Sequence, residues 1–338
     1  METKGAQGLV DGFAIRQRHF AGDMLFYAPG LKRYETEEFV PQNLHSFVPI
    51  SITGSQCALQ CDHCEGKLLE SMRAVEGPQD LLNLCARLVG QGTKGVLISG
   101  GCDSSGKVPL SRFAAALTQV KREFGIKVLV HSVLLDEASA AMLSGIGVDG
   151  VMLDIIGAEQ TVRSVYHLGA DLSYYERSLG LLAQHGIPAM PHVVLGLHFG
   201  QILGEDRALE MIARYPVAAL VLVVITPLTG TAMGEVAPPT LPEIDRLFRK
   251  ARAVMPKTPI ILGCARPAGL LRLAIDQLAV DCGLNGIAYP AEGVVEYARS
   301  KGLAPKFYEE CCALAYTHID GSISRTIAHH GGTETRRH

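Results

Sequence analysis

The sequence predicts an α/β fold, a (β/α)8 barrel of the TIM type with an extension at each end. Short apolar runs alternate with longer amphipathic runs, as they do where a parallel sheet is covered by helices. There are eight such apolar runs, the number of strands that closes a barrel. With 338 residues, 48% of them hydrophobic, the chain has ample material for a large core.

The predicted strands are rich in aliphatic residues and lie at 48–53, 95–100, 127–132, 150–154, 189–195, 219–226, 259–263 and 286–289. The predicted helices carry apolar residues at helical spacing and lie at 79–89, 110–124, 136–144, 172–185, 205–214, 241–253 and 268–280. Functional residues of such a barrel lie at the C-terminal ends of the strands and on the loops that follow them.

No shift in composition divides the chain, so residues 46–300 are predicted to form one barrel. Residues 1–45 include an aromatic-rich stretch, 20–34, which is interpreted as a lid or packing segment ahead of the barrel. Residues 301–338 leave the repeat, carry Cys311 and Cys312, and end in a polar tail that is predicted to be disordered. The C-terminal segment could fold over the catalytic face.

Charge and composition exclude several classes of partner. A net charge of -3 with mixed signs argues against a nucleic-acid partner. The sequence has no apolar run long enough for a membrane span and no signal-peptide pattern, which predicts a soluble cytoplasmic protein without membrane association. Nine cysteines suit a reducing compartment and a metal better than disulfides.

The loop after the first predicted strand carries Cys57, Cys61 and Cys64 in a C-x3-C-x2-C pattern. Three thiolates on one short loop can hold three irons of a 4Fe-4S cluster and leave the fourth iron open, whereas closed sites supply a fourth Cys or His. His63 is too close to Cys64 to face the same metal, so it is interpreted as a cofactor contact. A zinc site and chance spacing are the alternatives.

Two further strand ends carry candidate binding residues. Ser99, Gly100 and Gly101 end the second predicted strand, where paired glycines let the backbone approach a ligand. The simpler interpretation is a tight turn between strand and helix. Asp154 ends the fourth predicted strand and could bind a pair of ribose hydroxyls, or it could be a helix cap or a solvated loop residue.

The cysteine triplet is similar to the signature of the radical S-adenosylmethionine (SAM) enzymes, in which the open iron binds the amine and carboxylate of SAM. This resemblance implies that the backbone at Ser99, Gly100 and Gly101 contacts the SAM amino group, although Cys102 replaces the usual acidic residue. It also implies a one-electron cleavage that releases a 5'-deoxyadenosyl radical.

Residues 48–290 resemble the biotin synthase-like branch of these enzymes, and the cysteine triplet is the most specific part of this resemblance. The stretch 136–196 also resembles biotin synthase. The resemblance implies that Asp154 contacts the SAM ribose and that Arg177, in Tyr174-Tyr-Glu-Arg177, contacts the SAM carboxylate. Arg266 matches an arginine beside the second iron-sulfur cluster of biotin synthase, which implies a substrate or cluster neighbour. The interior cysteines of that second cluster are missing here, since their approximate positions fall near Val130, His131 and Met190.

Within that branch, several runs resemble a group that includes the two-protein, archaeal-type lipoyl synthases: Phe26-Tyr-Ala-Pro, Cys61-Asp-His-Cys-Glu-Gly-Lys-Leu-Leu-Glu-Ser-Met72, Val165-Tyr-His-Leu, Leu195-Gly-Leu-His-Phe-Gly and Glu310-Cys-Cys. This resemblance implies a sulfur insertase that acts on a protein-bound octanoyl chain. The implied partners are a second, related radical SAM subunit, an octanoylated carrier protein or peptide, and an electron donor such as ferredoxin or flavodoxin.

Such a reaction needs a source of sulfur, which a second, auxiliary iron-sulfur cluster would supply. Cys102, Cys264, Cys311 and Cys312 are the candidate ligands, and a purely structural role for these four is the alternative. Cys85 and Cys282 lie in apolar helical runs and are interpreted as buried small hydrophobes. The alternative enzyme is a cofactor-building radical SAM protein with a single cluster, whether biotin synthase-like, a rearrangement catalyst or a methyltransferase. A non-catalytic iron-sulfur carrier is the alternative from another class.

Overall fold

The structure is a computed structural model that describes residues 10–30 and 33–319. These residues form a single parallel sheet of eleven strands: β1 (Asp23–Tyr27), β2 (Phe47–Ser51), β3 (Arg73–Ala74), β4 (Gly95–Ser99), β5 (Lys127–Ser132), β6 (Gly150–Asp154), β7 (Ala189–Leu195), β8 (Leu220–Val224), β9 (Ile260–Leu262), β10 (Gly286–Ala288) and β11 (Ala304–Tyr308). The strand order is β11-β1-β10-β9-β8-β7-β6-β5-β4-β2-β3. All eight predicted strands are present.

Helices follow most of the strands, as the alternation in the sequence predicts. They are α1 (Gly12–His19), α2 (Lys67–Glu70), α3 (Pro78–Gly90), α4 (Ala114–Phe124), α5 (Glu137–Ile146), α6 (Glu159–Val165), α7 (Ser173–Gln184), α8 (Glu205–Ile212), α9 (Leu241–Val254), α10 (Leu270–Asp281) and α11 (Val294–Ser300). Two 3-10 helices, η1 (Leu110–Phe113) and η2 (Cys312–Thr317), complete the described elements.

Helix α9 illustrates how the outer layer forms. Thr240 and Glu243 make a capping box at its start, in which the Thr240 amide donates to Glu243 Oε2 at 2.8 Å. Ile244, Leu247, Phe248 and Ala251 recur at helical spacing and are completely buried. The apolar stripe therefore faces the sheet, and the charged residues between its members face outward.

The sheet does not close as the predicted eight-stranded barrel. β10 pairs with β9 and with β1, not with β2, and β1 pairs in turn with β11. The aromatic-rich stretch at 20–34, predicted to be a lid or packing segment ahead of the barrel, contains β1, whose residues Met24 to Tyr27 are at most 1% exposed. A fully buried apolar run is typical of an interior parallel strand, which explains why this stretch lies within the sheet.

A set of hydrogen bonds joins the two ends of the curled sheet. Ser46, just before β2, donates from its hydroxyl to the Glu309 carbonyl, just after β11, at 2.5 Å. The Glu309 carboxylate accepts the amides of Gln42 at 2.6 Å and Asn43 at 3.1 Å. These contacts bring the end of β11 against the start of β2 without strand pairing. This junction between the two ends of the curled sheet is here called the seam.

The C-terminal segment fills the inside of the curled sheet instead of covering the catalytic face. Leu314 of η2 packs with Leu129, Met152 and Met190 on β5, β6 and β7. Its neighbour Ala315 packs against β1, β9 and β10, in the other half of the curled sheet. One short helix can touch both halves only because the sheet curls around it. Residues 320–338, the predicted disordered tail, lie outside the described residues.

Candidate active site

The loop after β2 gathers the three cysteines of the motif, Cys57, Cys61 and Cys64, here called the loop cysteines. The Cys61 carbonyl accepts the amides of Cys64 at 2.9 Å and Glu65 at 2.8 Å, which makes a tight turn between the last two cysteines. Gln60 and Glu65 flank this turn with φ values of 44° and 45°. Left-handed backbone at non-glycine residues is uncommon and often marks a functional loop.

Neighbouring loops hold this turn in place from two sides. The Asp62 amide donates to the Val165 carbonyl at 3.0 Å, and the Asp62 carboxylate lies 2.9 Å from His167 Nε2. From the loop after β8, the Ala232 amide donates to Glu65 Oε1 at 2.7 Å. The loop cysteines are therefore fixed by tertiary contacts as well as by their own turn.

The glycine pair at the end of β4 packs directly against the cysteine loop. A Cβ atom built on Gly101 would lie 1.9 Å from the Gln56 carbonyl oxygen and 2.6 Å from the Cys57 Cβ. The Gly101 amide donates to Thr53 Oγ1 at 2.7 Å. Glycine is therefore required at 101 by the close approach of this loop.

A cavity of about 240 Å³ opens beside the loop cysteines at the C-terminal ends of β2, β4, β5 and β6. This volume, here called the cysteine cavity, is lined by all three loop cysteines and by the predicted residues His63, Ser99, Gly100, Gly101, Cys102 and Asp154. The structure therefore brings together the motif and most of the residues that the sequence analysis assigned to cofactor binding.

Asp154 is the centre of the polar side of the cysteine cavity. Its Oδ2 accepts the Tyr166 hydroxyl at 2.9 Å, and its Oδ1 lies 3.7 Å from His131 Nε2. Burial would raise the pKa of this carboxyl, but the attraction of His131 and His192 and the Tyr166 hydrogen bond lower the pKa below its usual range. Asp154 therefore carries a stable negative charge at the cavity wall.

His192, on β7, lies opposite Asp154 on the neighbouring strand. Burial lowers the pKa of His192 to about 4, and repulsion by His131 acts in the same direction. The neutral ring places Nδ1 3.0 Å from the Met190 carbonyl, which can only accept, so Nδ1 carries the proton. Nε2 of His192 is then an acceptor.

Two buried polar atoms near the cavity have no hydrogen-bond partner within the described part of the chain. They are His63 Nδ1 and the Tyr175 hydroxyl. His63 stacks on Tyr166, with ring centroids 5.2 Å apart. Buried polar groups are nearly always paired, so a ligand or water in the cavity could bond these two atoms.

The donors present suit an iron-sulfur cluster with a polar organic ligand. A hydrogen bond between Cys61 and Cys64 lowers the pKa of the Cys64 thiol and raises that of Cys61, and burial raises both. The thiolate form is the one that binds iron. No three His, Cys, Asp or Glu side chains in residues 10–30 and 33–319 converge on one point as a single metal ion requires.

A second group of thiols, Cys264, Cys311 and Cys312, lies inside the curled sheet and is here called the inner cysteines. Hydrogen bonds to Cys264 and Cys311, together with burial, raise the pKa of the Cys312 thiol. Cys264 follows β9, and the other two precede or begin η2. The fold therefore assembles this group from residues that are far apart in sequence.

Cys102 does not join the inner cysteines, although all four were predicted to share one auxiliary cluster. Its side chain lines the cysteine cavity, and burial followed by the nearby Cys57 raises its pKa to about 12. The Ala58 amide also donates to the Cys102 carbonyl at 2.8 Å. The predicted set of four is therefore divided between two sites.

Aromatic side chains surround the inner cysteines. Tyr27 and Tyr308, at the ends of β1 and β11, stack on each other and on His318. The Tyr27 hydroxyl lies 3.1 Å from His318 Nδ1. Burial and the nearby Cys312 raise the pKa of Tyr27. Cys311 and Cys312 are thus buried beside aromatic rings, whereas Cys264 is half-buried.

Arg266 is not a ligand-facing residue in this structure. Its five N–H groups donate to both oxygens of Asp276 and to the carbonyls of Gly263, Ala288 and Tyr289. Neither member of the ion pair is exposed. With every donor used, Arg266 joins α10 to the ends of β9 and β10. Its place as a neighbour of a substrate or cluster stays a prediction.

Arg177 lies on the outer surface and does not line the cysteine cavity. It is exposed, beside Glu137 and Gln184 in a surface groove. Residues two apart on a helix point in nearly opposite directions, and it is Tyr175 that points inward from α7. The contact with the SAM carboxylate, which the resemblance implies for Arg177, stays a prediction.

Several site residues were not identified from the sequence. Tyr166 and Tyr175 belong to runs that were used only to recognise a family, and His131 and His192 lie on alternate positions of buried strands. A polar residue at an inward strand position was the signal that could have found the histidines. Cys85 and Cys282 are fully buried, as predicted.

No protein-family model matches the sequence, and no curated protein matches it. Among solved structures, methylornithine synthase PylB is similar over 87% of each chain, with 15% identity and a TM-score of 0.57. The hydrogenase maturase HydG of Carboxydothermus hydrogenoformans is similar over 88% of this chain and 70% of its own, with 14% identity and a TM-score of 0.62.

A third solved structure, Streptococcus suis SuiB bound to S-adenosylmethionine, matches 70% of this chain and 52% of its own, with 12% identity and a TM-score of 0.50. In residues 10–30 and 33–319, no helix combines the length and the apolar character needed to cross a membrane. At these identities the likeness shows the fold alone: the chain shares a curled parallel α/β sheet with these three structures.

Proposed function

We propose that this protein is a radical SAM sulfur insertase, one component of a two-protein lipoyl synthase. The observation that carries the proposal is the presence of two separate groups of three cysteines, one beside a cavity and one inside the sheet. Each group has one cysteine fewer than a closed four-iron site requires. A SAM-binding cluster and a sulfide-donating cluster both need such an open position.

The loop cysteines would hold the SAM cluster, which together with SAM supplies a 5'-deoxyadenosyl radical after one-electron reduction. Asp154 would bind the ribose hydroxyls, and Tyr166 holds that carboxylate in place. The unpaired His63 Nδ1 and Tyr175 hydroxyl would bind the remaining polar groups of SAM. The packing of Gly101 against Cys57 brings the β4 turn to the same ligand.

The inner cysteines would hold the auxiliary cluster. Tyr27, Tyr308 and η2 pack around the buried Cys312, and this packing would shield a labile sulfide from water. Cys102 would take no part in this cluster and would instead line the SAM site.

An aliphatic substrate is supported by the other side of the cysteine cavity. Its apolar wall contains seven aliphatic side chains: Leu59, Leu68, Leu69, Met72, Leu97, Val108 and Val133. A wall of this kind suits the methylenes of an octanoyl chain and offers no polar partner to a charged substrate. The carrier protein, the second subunit and the electron donor are parts of the same proposal.

The test is the mass of an octanoylated carrier peptide after anaerobic incubation with iron-loaded protein, SAM and reductant, with and without the related subunit. A gain of sulfur on the peptide supports the proposal. Formation of 5'-deoxyadenosine without any sulfur gain, in either arm, favours the single-cluster alternative. Absence of 5'-deoxyadenosine with an intact cluster favours a non-catalytic carrier.

A further inference from the structure

Two surface grooves lie beside β3, and among the described residues Met72 is the only one that lines both grooves and the cysteine cavity. We infer that the acyl chain of the substrate enters the cysteine cavity past Met72, and that Met72 with Leu68 and Leu69 determines the chain length that the cavity accepts. This inference rests on the proposed function and specifies the path of its substrate.

The outer grooves are the side from which the chain would arrive. The larger has a volume of about 890 Å³ and is lined mainly by polar and charged side chains, among them Arg73, Glu76, Asp80 and Arg87. The smaller, of about 420 Å³, lies at the seam of the sheet beside Leu44 and Pro49. Polar grooves suit a hydrated polypeptide, whereas the apolar wall behind Met72 suits its acyl arm.

The edge of the sheet leaves this path open. β3 has two residues, is the last strand in the sheet and is exposed at both positions. Its register places Arg73 opposite Ile50 and Ala74 opposite Ser51, so the strand ends beside the cysteine loop. A polypeptide in the outer groove is therefore separated from the cysteine cavity only by the segment that carries Met72.

The side chains of this segment can yield to a ligand. Met72 is half-buried, and methionine has a flexible side chain that adapts to irregular space. Leu68 is 53% exposed, an unusual position for a leucine on the wall of a cavity. The cavity of about 240 Å³ is smaller than the roughly 300 Å³ at which small-molecule sites begin, so this wall has to move outward when a chain enters.

The experiment measures the affinity of iron-loaded protein for fluorescent peptides whose lysine carries a butanoyl, hexanoyl or octanoyl group. Each buried methylene strengthens binding about fourfold, so the octanoyl peptide should bind roughly 200-fold more tightly than the butanoyl peptide. Met72→Trp fills the passage and should reduce this ratio at least about tenfold. Met72→Ala should extend acceptance to a decanoyl peptide.

Leu270→Trp is the matched control, because it adds the same indole on α10, where the leucine is 90% exposed. It should keep the wild-type affinity ratio. An unchanged ratio in Met72→Trp, or a wild-type ratio near one, overturns the inference. This ratio measures binding within each variant, so it does not depend on the production of 5'-deoxyadenosine. If the wild type produced no 5'-deoxyadenosine, the proposed function would be overturned instead.

Discussion

The loop cysteines and the inner cysteines differ in how they are built and in what surrounds them. The loop cysteines come from one short segment after β2 and face a cavity with partly exposed walls. The inner cysteines come from the end of β9 and from η2; Cys311 and Cys312 are buried near Tyr27 and Tyr308, and Cys264 is half-buried. The first arrangement suits a site that exchanges ligands, and the second suits a group that stays with the protein.

The largest expected effect separates the two groups by partial reaction. Cys61→Ala should lower 5'-deoxyadenosine formation by more than about 100-fold, since even outer-shell changes at metal sites cost 10- to 100-fold. Cys312→Ala should abolish sulfur transfer, with 5'-deoxyadenosine still formed. Cys85→Ala is the control, because Cys85 is fully buried in α3 and belongs to neither group. If Cys312→Ala lost 5'-deoxyadenosine formation as completely as Cys61→Ala does, the two groups would not be separate sites.

A second prediction concerns the ion pair that stabilises the half of the sheet with the inner cysteines. Arg266→Met leaves Asp276 buried and unpaired, so unfolding by urea should show a loss of about 3–5 kcal/mol. Arg246→Met, which removes the exposed partner of Asp206, should cost less than about 1 kcal/mol. Similar losses of stability in the two variants would show that Arg266 does not stabilise the contact between α10 and the ends of β9 and β10.

The third prediction uses the pKa of His192, on the loop-cysteine side. Its folded-state pKa is about 4, below the unfolded value of about 6.5, so unfolding takes up a proton between these values. The stabilisation is complete above pH 6.5 and is lost as the pH falls toward 4, by roughly 3 kcal/mol.

The measurement is the free energy of unfolding of wild type and His192→Gln from pH 7 to pH 4. Glutamine does not titrate, so unfolding of His192→Gln should take up one proton fewer in this pH range, and its free energy of unfolding should fall less steeply toward pH 4. Parallel curves for the two proteins would mean that His192 is not buried in its neutral form.

The smallest effect should come from the hydroxyl that positions Asp154. Tyr166→Phe removes one hydrogen bond and should cost about 1 kcal/mol of stability and about fivefold in SAM affinity. Tyr297→Phe removes a similar bond, to Asp281, far from the cavity, and should leave SAM affinity unchanged. Calorimetric titration of iron-loaded protein with SAM makes the comparison. Equal affinities in the two variants would show that the Tyr166 hydroxyl does not contribute to SAM binding.

Local patterns in the sequence predict the loop-cysteine side of the molecule well. Three cysteines at fixed spacing, a glycine pair and Asp154 each follow a strand, and parallel strands bring their C-terminal ends together. The alternation of apolar and amphipathic runs likewise predicts all eight strands that were expected.

The remaining features depend on tertiary packing. The periodicity of 20–34 does not show that β1 inserts between β10 and β11, and this insertion keeps the eight strands from closing. The assignment of Arg266 and Arg177 by resemblance gives no side-chain direction, which the ion pair with Asp276 and the helical phase of α7 decide. The division of Cys102 from the inner cysteines also depends on where η2 packs.

The central claim is that two groups of cysteines hold two clusters, and iron and sulfide analysis tests it most directly. Anaerobically reconstituted wild type should contain about eight irons and eight sulfides per chain. Replacing the three loop cysteines with alanine should leave about four of each, and so should replacing Cys264, Cys311 and Cys312. About four irons in the wild type, all retained when the inner cysteines are replaced, would contradict the account.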